Sequence, residues 1–408
     1  MSSGADTFTR WGVVASGEGG GRIASELFAR TANPGIEDRI LVMNTNRADI
    51  RNTLDRIRAQ VSGGGTDETE KYAVEFGSVQ GAGNFFVAGR DCAREDLPRI
   101  VRSINQRFGG TDALMHLTTL GGGTGNGSIP YVVSQFKSGL SDLEGDDTKL
   151  HEPWMDSLNH AAFGVWPYYY EAPQRHFNAV SGLSRLLKNP DGSQNADMVI
   201  LAANSHVNGE ENDNYALVNR RIIQAIDLMI GAGRKTRGVI DVEDYVRVPS
   251  QIGSYHFTPG LVEDIDGTVF ELEYLFDRAA ENAYVPLDIG TVQVAFAVVR
   301  APERLIEQGD VTEPTVKRRF QEWKRENGMG SAIGMTTLTP KETRSDGMDV
   351  LLMLGGFDLG PLLDHSWDQF EQFKENLGIG SRSGQSRLSQ DELRRIEQNL
   401  RDYRERTH

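Results

Sequence analysis

An apolar run, Asp112-Ala113-Leu114-Met115-His116-Leu117-Thr118-Thr119-Leu120, leads directly into Gly121-Gly122-Gly123-Thr124-Gly125-Asn126-Gly127-Ser128. A helical pattern follows from near Ile129-Pro130. The succession reads as a strand, a glycine loop and a helix N-terminus. Glycine carries no Cβ, so such a loop can press bare backbone N–H groups against an anion. The helix adds its own unpaired N–H groups and the positive end of its dipole. A phosphate cradle at the end of a strand restricts the chain to layered α/β folds.

Two other phosphate motifs are excluded. No Gly-x-x-x-x-Gly-Lys-(Ser/Thr) occurs in the chain. Gly17-Glu18-Gly19-Gly20-Gly21-Arg22 starts like a dinucleotide fingerprint but has Arg22 where the third glycine belongs. The 408 residues predict two domains, since single cores stop growing near ~250–300 residues. A net charge of −15 disfavours nonspecific binding to nucleic acid or anionic lipid. Nine lysines against 34 arginines, beside that acid excess, fit a halophile or a GC-rich genome. No run approaches a membrane span, Met1–Asp6 is no signal peptide, and the single Cys92 fits a reducing cytosol. The expected location is cytoplasmic.

The first half alternates short β-branched runs with amphipathic helices, predicting a mostly parallel sheet covered on both faces. Strands are expected at 8–16, 40–44, 161–167 and 198–203, and helices at 22–32, 48–60 and 91–108. Residues 62–69 read as a polar loop, and 138–159 as an acidic surface insertion. A long helix is expected from Tyr215 to about Gly233. Later strands (291–299, 350–354) and helices (314–327, 364–376) suggest a smaller α/β domain. Gly378–Arg387 reads as a linker. Ser389 and Glu392 form a capping box that opens a last helix with a Leu393, Ile396, Leu400, Tyr403 stripe. That stripe can pack back on the body or dock a protein partner.

The glycine motif Gly121–Gly127 resembles the signature of the tubulin/FtsZ superfamily of GTP-dependent filament proteins. The resemblance runs from about Arg10 to Leu377 and points to the archaeal CetZ-like branch. It implies a Rossmann-like GTP-binding domain (8–214), a connecting helix (215–233), a smaller α/β domain (234–377) and a tail (378–408). Gly17, Glu18, Gly19, Gly20, Gly21 and Arg22 match its first phosphate loop. Gly81, Ala82, Gly83 and Asn84 resemble the loop around the terminal phosphates. Asn44, at the end of its strand, joins the implied binding set with Gly121, Gly122, Gly123, Thr124, Gly125, Asn126 and Gly127. Glu18 departs from the family's Gln or Gly, and either meets Mg²⁺ held mainly by the phosphates or turns to solvent.

Glu171 and Arg175 lie four residues apart, either as a simple ion pair or, as the resemblance implies, on the sugar side of the nucleotide. Asn204, Tyr215 and Asn219 match the family's base-reading set. An asparagine amide offers a donor and an acceptor, as guanine's edge does, and the tyrosine would stack. The implied catalytic acids are Asp241, Glu243 and Asp244, acting on the neighbouring subunit's GTP after head-to-tail self-association. Val246 stands where FtsZ has its second Asp, and the stretch also reads as an ordinary acidic turn before Pro249. The implied function is a cytoskeletal GTPase activated by assembly and serving cell shape or division. The alternative is a GTP-binding structural or regulatory paralogue with little or no hydrolysis.

Overall fold

The computed structural model describes residues 9–30, 36, 39–59, 69–78, 81–208, 214–231, 240–266, 271–341, 347–381 and 388–407. Phe8, the end of the first helix at Ala32, most of the 62–69 loop, residues 232–239 and the linker at 382–387 lie outside them.

Among the described residues ten strands form one sheet: β1 (Trp11–Ser16), β2 (Ile40–Asn44), β3 (Ala73–Glu75), β4 (Ala113–Thr119), β5 (Asn159–Trp166), β6 (Met198–Ala203), β7 (His256–Asp266), β8 (Val294–Pro302), β9 (Ile333–Lys341) and β10 (Gly347–Gly355). Their spatial order is β3-β2-β1-β4-β5-β6-β7-β10-β8-β9. Pairing is parallel from β3 to β7 and again between β8 and β9, while β10 runs antiparallel to both its neighbours. The expected mostly parallel sheet is present, and it does not break between the two halves. Only Val199↔His256 and Ile200↔Phe257 join β6 to β7, a narrow seam.

Alternate strand residues feed two cores. Val14, Leu114 and Val199 face one layer, built by helices that include Thr124–Lys137, Pro173–Leu187, Gly360–Ser381 and Gln390–Thr407. Val13, Met115 and Ile200 face the other, covered by Gly17–Arg30, Arg47–Arg58, Tyr215–Gly231 and Val242–Ile252. A parallel sheet buried on both faces accounts for the near-continuous apolar runs of its strands.

Several local expectations are corrected. The first helix starts at Gly17, so the first glycine stretch is its opening turn and not a loop before it. The signature likewise enters its helix at Thr124. Glycine weakens helices only by intrinsic preference, and tertiary packing overrides that here. The helix expected at 91–108 is two helices, Phe86–Glu95 and Leu97–Phe108, with Pro98 in the first turn of the second. The 138–159 segment exposes its acids but buries Leu140, Leu143, Met155 and Leu158, so it is packed against the body. The helix expected at 364–376 runs from Gly360 to Ser381, through the start of the expected linker.

The terminal helix lies on the body with its stripe inward: Leu393, Ile396, Leu400 and Tyr403 are buried. Tyr403 Oη and His256 Nδ1 are 2.7 Å apart, and Ser184 Oγ donates to the Ile396 carbonyl at 2.7 Å. The Glu392 amide donates to Ser389 Oγ at 3.0 Å, which is half of the expected capping box. The Glu392 carboxylate pairs with Arg90. Any partner of this helix would meet its outer, charged face.

Candidate functional site

The C-terminal ends of β1, β4, β5 and β6 open onto a cleft of about 480 Å³. Two helix N-termini border it, those of Gly17–Arg30 and Thr124–Lys137. Gly123 caps the second without a side-chain hydrogen bond, leaving its first N–H groups to a ligand. Close packing of the two turns demands glycine. Gly17 has φ +76°, and a Cβ on Gly125 would lie 2.3 Å from the Ser16 carbonyl oxygen.

Of the expected binding residues, Gly17, Glu18, Gly19, Arg22, Asn44, Gly81, Ala82, Gly83, Asn84, Gly121, Gly122, Gly123, Thr124 and Gly125 line this cleft at its glycine-rich end. Glu171, Arg175, Asn204, Tyr215 and Asn219 line it too. Gly20, Gly21, Asn126 and Gly127 do not. A Cβ on Gly20 would meet the Leu117 carbonyl oxygen at 2.6 Å, and one on Gly127 would meet the Phe86 oxygen at 2.2 Å. Gly21 sits against Thr53 and Val42, while Asn126 donates to the Asn178 carbonyl at 2.6 Å. These four fix helix packing behind the loops. Sequence reading could not separate the two roles, because both select small residues in one run.

Glu18 is ion-paired to Arg22 one helical turn on, and both side chains are substantially exposed. Asp49, which sequence reading missed, lines the same end. Burial, and then the charge of Glu18, raise its carboxyl above the ordinary range. Its position one turn into a helix capped by Asn46 was the available signal. Among the described residues no group of three or more His, Cys, Asp or Glu could hold a metal. An ion here would come with a ligand's phosphates, with Glu18 and Asp49 as the acids beside it.

Glu171 receives the Tyr168 amide at 3.0 Å and Arg175 Nε at 2.9 Å. The simple ion pair is therefore formed, and it faces the cleft. Tyr168 is buried and makes an edge contact with Tyr215, centroids 5.1 Å apart, leaving Tyr215 43 % exposed. Asn204, buried just past the end of β6, and Asn219, one turn beyond Tyr215, line the same cleft.

The acids at 241–244 lie elsewhere. Asp241 caps the helix Val242–Ile252: the Asp244 amide donates to Asp241 Oδ1 and the Asp241 amide to Asp244 Oδ2, both at 3.1 Å. Glu243 Oε1 accepts from Asn159 Nδ2 at 2.9 Å. Asn159 starts β5 while Pro167, just past its end, lines the cleft. At ~3.3 Å per residue the acids stand roughly 23 Å from the cleft, on the opposite edge of the sheet. Val246 is buried in the core.

The fold is shared with solved CetZ and FtsZ structures. A CetZ2 from Haloferax volcanii, solved as a GTPgS-bound protofilament, superposes with a TM-score of 0.67 at 17% identity, covering 90% of this chain and 99% of that one. An FtsZ from M. jannaschii gives 0.61 at 18% identity, covering 86% and 89%. In sequence, the chain is 26% identical over 239 residues to the tubulin-like protein CetZ of Pyrococcus abyssi, spanning 56% of this chain and 58% of that protein. The tubulin-like protein CetZ4 of Haloferax volcanii is 26% identical over 240 residues, spanning 58% and 54%. In sequence the chain is similar, at modest identity, to CetZ proteins, and its fold is that of the solved CetZ and FtsZ structures. No protein-family model matches it. The sequence match spans little more than half the length of these CetZ relatives, although the superposition extends over nearly the whole fold.

Proposed function

We propose that this CetZ-like chain binds GTP in the cleft and hydrolyses it only when a second copy stacks on it head to tail. The observation that carries the reading is the placement of Asp241, Glu243 and Asp244 at the opposite sheet edge from the cleft. Within one molecule the two cannot meet; a translated copy presents one edge to the other. The glycine turns and helix N-termini would hold the phosphates, with Mg²⁺ carried on them beside Glu18 and Asp49. Asn204 and Asn219 would read the guanine edge against the Tyr215 ring, and Glu171 would accept sugar hydroxyls. Mg²⁺ would supply charge neutralisation at the γ-phosphate, while the acids from the next subunit orient the attacking water. Cell shape or division is the process that such filaments would serve.

A second reading is a GTP-holding filament or adaptor with little turnover. Burial of Val246 and the engagement of Asp241 and Asp244 in a helix cap favour it.

Phosphate release from GTP, followed against protein concentration at low and high KCl, separates the readings. Specific activity that rises above a threshold concentration is expected of the shared site. GTP binding without turnover at any concentration would replace it with the static filament. Failure to bind GTP would sink both.

A further inference from the structure

A second cavity, of about 490 Å³, opens where Phe86–Glu95, Thr124–Lys137 and Pro173–Leu187 meet the terminal helix. In a chain of net charge −15 its wall carries Arg90, Arg94, Arg185, Lys188 and Arg395. Two acids share the wall. Glu392 is spent on Arg90, which also pairs with Asp91 at 3.0 Å, and Asp391 lies on the exposed rim. Positive charge is in excess.

Arg185 donates from Nη2 to the Asn126 and Gly127 carbonyls at 2.8 and 3.1 Å, and its guanidinium lies 4.4 Å from the Phe86 ring centre. Its Nη1 is sealed from solvent and meets no acceptor. Lys188 is 5 % exposed, and its ammonium feels the charge of Arg406 and of Asp402. A buried guanidinium without a carboxylate in direct contact is costly, and this one stands at the cavity wall.

We propose that this cavity is a second anion site, taking a compact phosphoryl-bearing molecule of the polyphosphate class. Arginine forks and a lysine ammonium match clustered phosphoryl oxygens, and the cavity offers no exposed aromatic face on which a base could stack. The local electrostatics agree. Burial, and then Arg90, push the Arg185 guanidinium down to about 9, and burial lowers Lys188 as well. The Asn126 and Gly127 carbonyls that hold Arg185 belong to the first turn of the helix whose N-terminus borders the large cleft. An anion bound here would thus touch that helix and the terminal helix together.

The test is titration of the full chain with inorganic tripolyphosphate, read by calorimetry and by hydrogen–deuterium exchange. Slowed exchange across 185–195 and 389–399 is expected. Lys188→Gln with Arg395→Gln should bind about tenfold more weakly, and citrate should bind the unaltered chain about tenfold more weakly than tripolyphosphate. Arg395→Gln alone, on an exposed side chain, gives a smaller loss and serves if the double variant misfolds. Protection confined to 17–22 and 121–127 would overturn the proposal. So would affinity of the variants within about twofold of the unaltered chain. Equal binding of citrate would overturn the phosphoryl assignment.

Discussion

Asn159 donates a hydrogen bond to Glu243 at 2.9 Å, pinning the acidic turn to the foot of β5 while the head of that strand opens on the cleft. If hydrolysis uses this turn in a neighbouring subunit, Asp241→Ala with Glu243→Ala should lower phosphate release by at least about tenfold and leave GTP affinity unchanged. Asp241→Ala alone also removes a helix cap worth about 1 kcal/mol, whereas Asp241→Asn keeps the cap and removes only the charge. Mixing the double variant with Asn204→Ala, which keeps the acids but has an impaired cleft, should recover turnover above either variant alone. Unaltered turnover in the double variant would leave the acids as a helix cap and nothing more.

Asn204, Tyr215 and Asn219, which line one cleft, predict selectivity if the nucleotide base lies against them. Asn204→Ala and Asn219→Ala should each weaken GTP binding by about 1–3 kcal/mol, with ATP binding hardly altered. Tyr215→Leu should cost GTP and ATP alike, because stacking does not distinguish purines. Competition assays with the two nucleotides decide it, and equal losses for both in the asparagine variants would remove the base-reading role.

The histidine pair at the sheet centre sets an acid limit on stability. His116 Nε2 and His160 Nδ1 are 3.0 Å apart and both residues are fully buried. Burial, then the neighbouring His160, hold His116 well below its usual range; burial, then Lys137, bring His160 down to about 3. Folded values below the unfolded 6.5 mean that the native state gives up protons which the unfolded chain binds. The pair therefore costs nothing above pH 6.5, and stability falls as the pH drops from there towards 3. Between pH 6.5 and 5 each histidine should contribute a loss of about 2 kcal/mol. Urea midpoints across that range should fall, and His116→Leu should flatten the dependence.

The tail helix is a structural part of the body. Leu400→Ala should cost about 2–5 kcal/mol, and Tyr403→Phe, which breaks the contact with His256, about 1 kcal/mol. Truncation after Ser381 should lower the melting temperature and expose apolar surface to a dye. Unchanged melting would mean that the helix is detachable.

The sequence made the strands and the cleft legible because glycine turns and buried parallel strands leave local marks. Met198–Ala203 lies where its apolar run puts it, and the Tyr215 and Asn219 spacing leads to a shared wall. What stayed hidden depends on distant contacts. Gly20 and Gly127 look like loop glycines until Leu117 and Phe86 are seen behind them. Strand β7 was missed because His256, Thr258 and Gly260 break its apolar run, yet they face partners available only after folding, such as Tyr403 for His256. The stripe of the last helix was visible, but nothing local says that it turns inward.

The acidic edge also carries apolar surface. Val248 and Ile252 lie one turn apart on Val242–Ile252, 37 % and 43 % exposed, just beyond the acids. Across the sheet Tyr170, 58 % exposed, stacks on Tyr168 at 5.2 Å beside Tyr215. Exposed apolar side chains on both edges suit a head-to-tail contact, where each would lose water. If copies of this chain stack head to tail, Ile252→Glu should raise the protein concentration at which they scatter light by about tenfold or more, through a buried charge without a partner. Because Ile252 is far from the cleft, GTP affinity and the melting temperature of the dilute protein should stay as they are. Loss of nucleotide binding together with assembly would instead show that the substitution damages the subunit, and the edge would need another account.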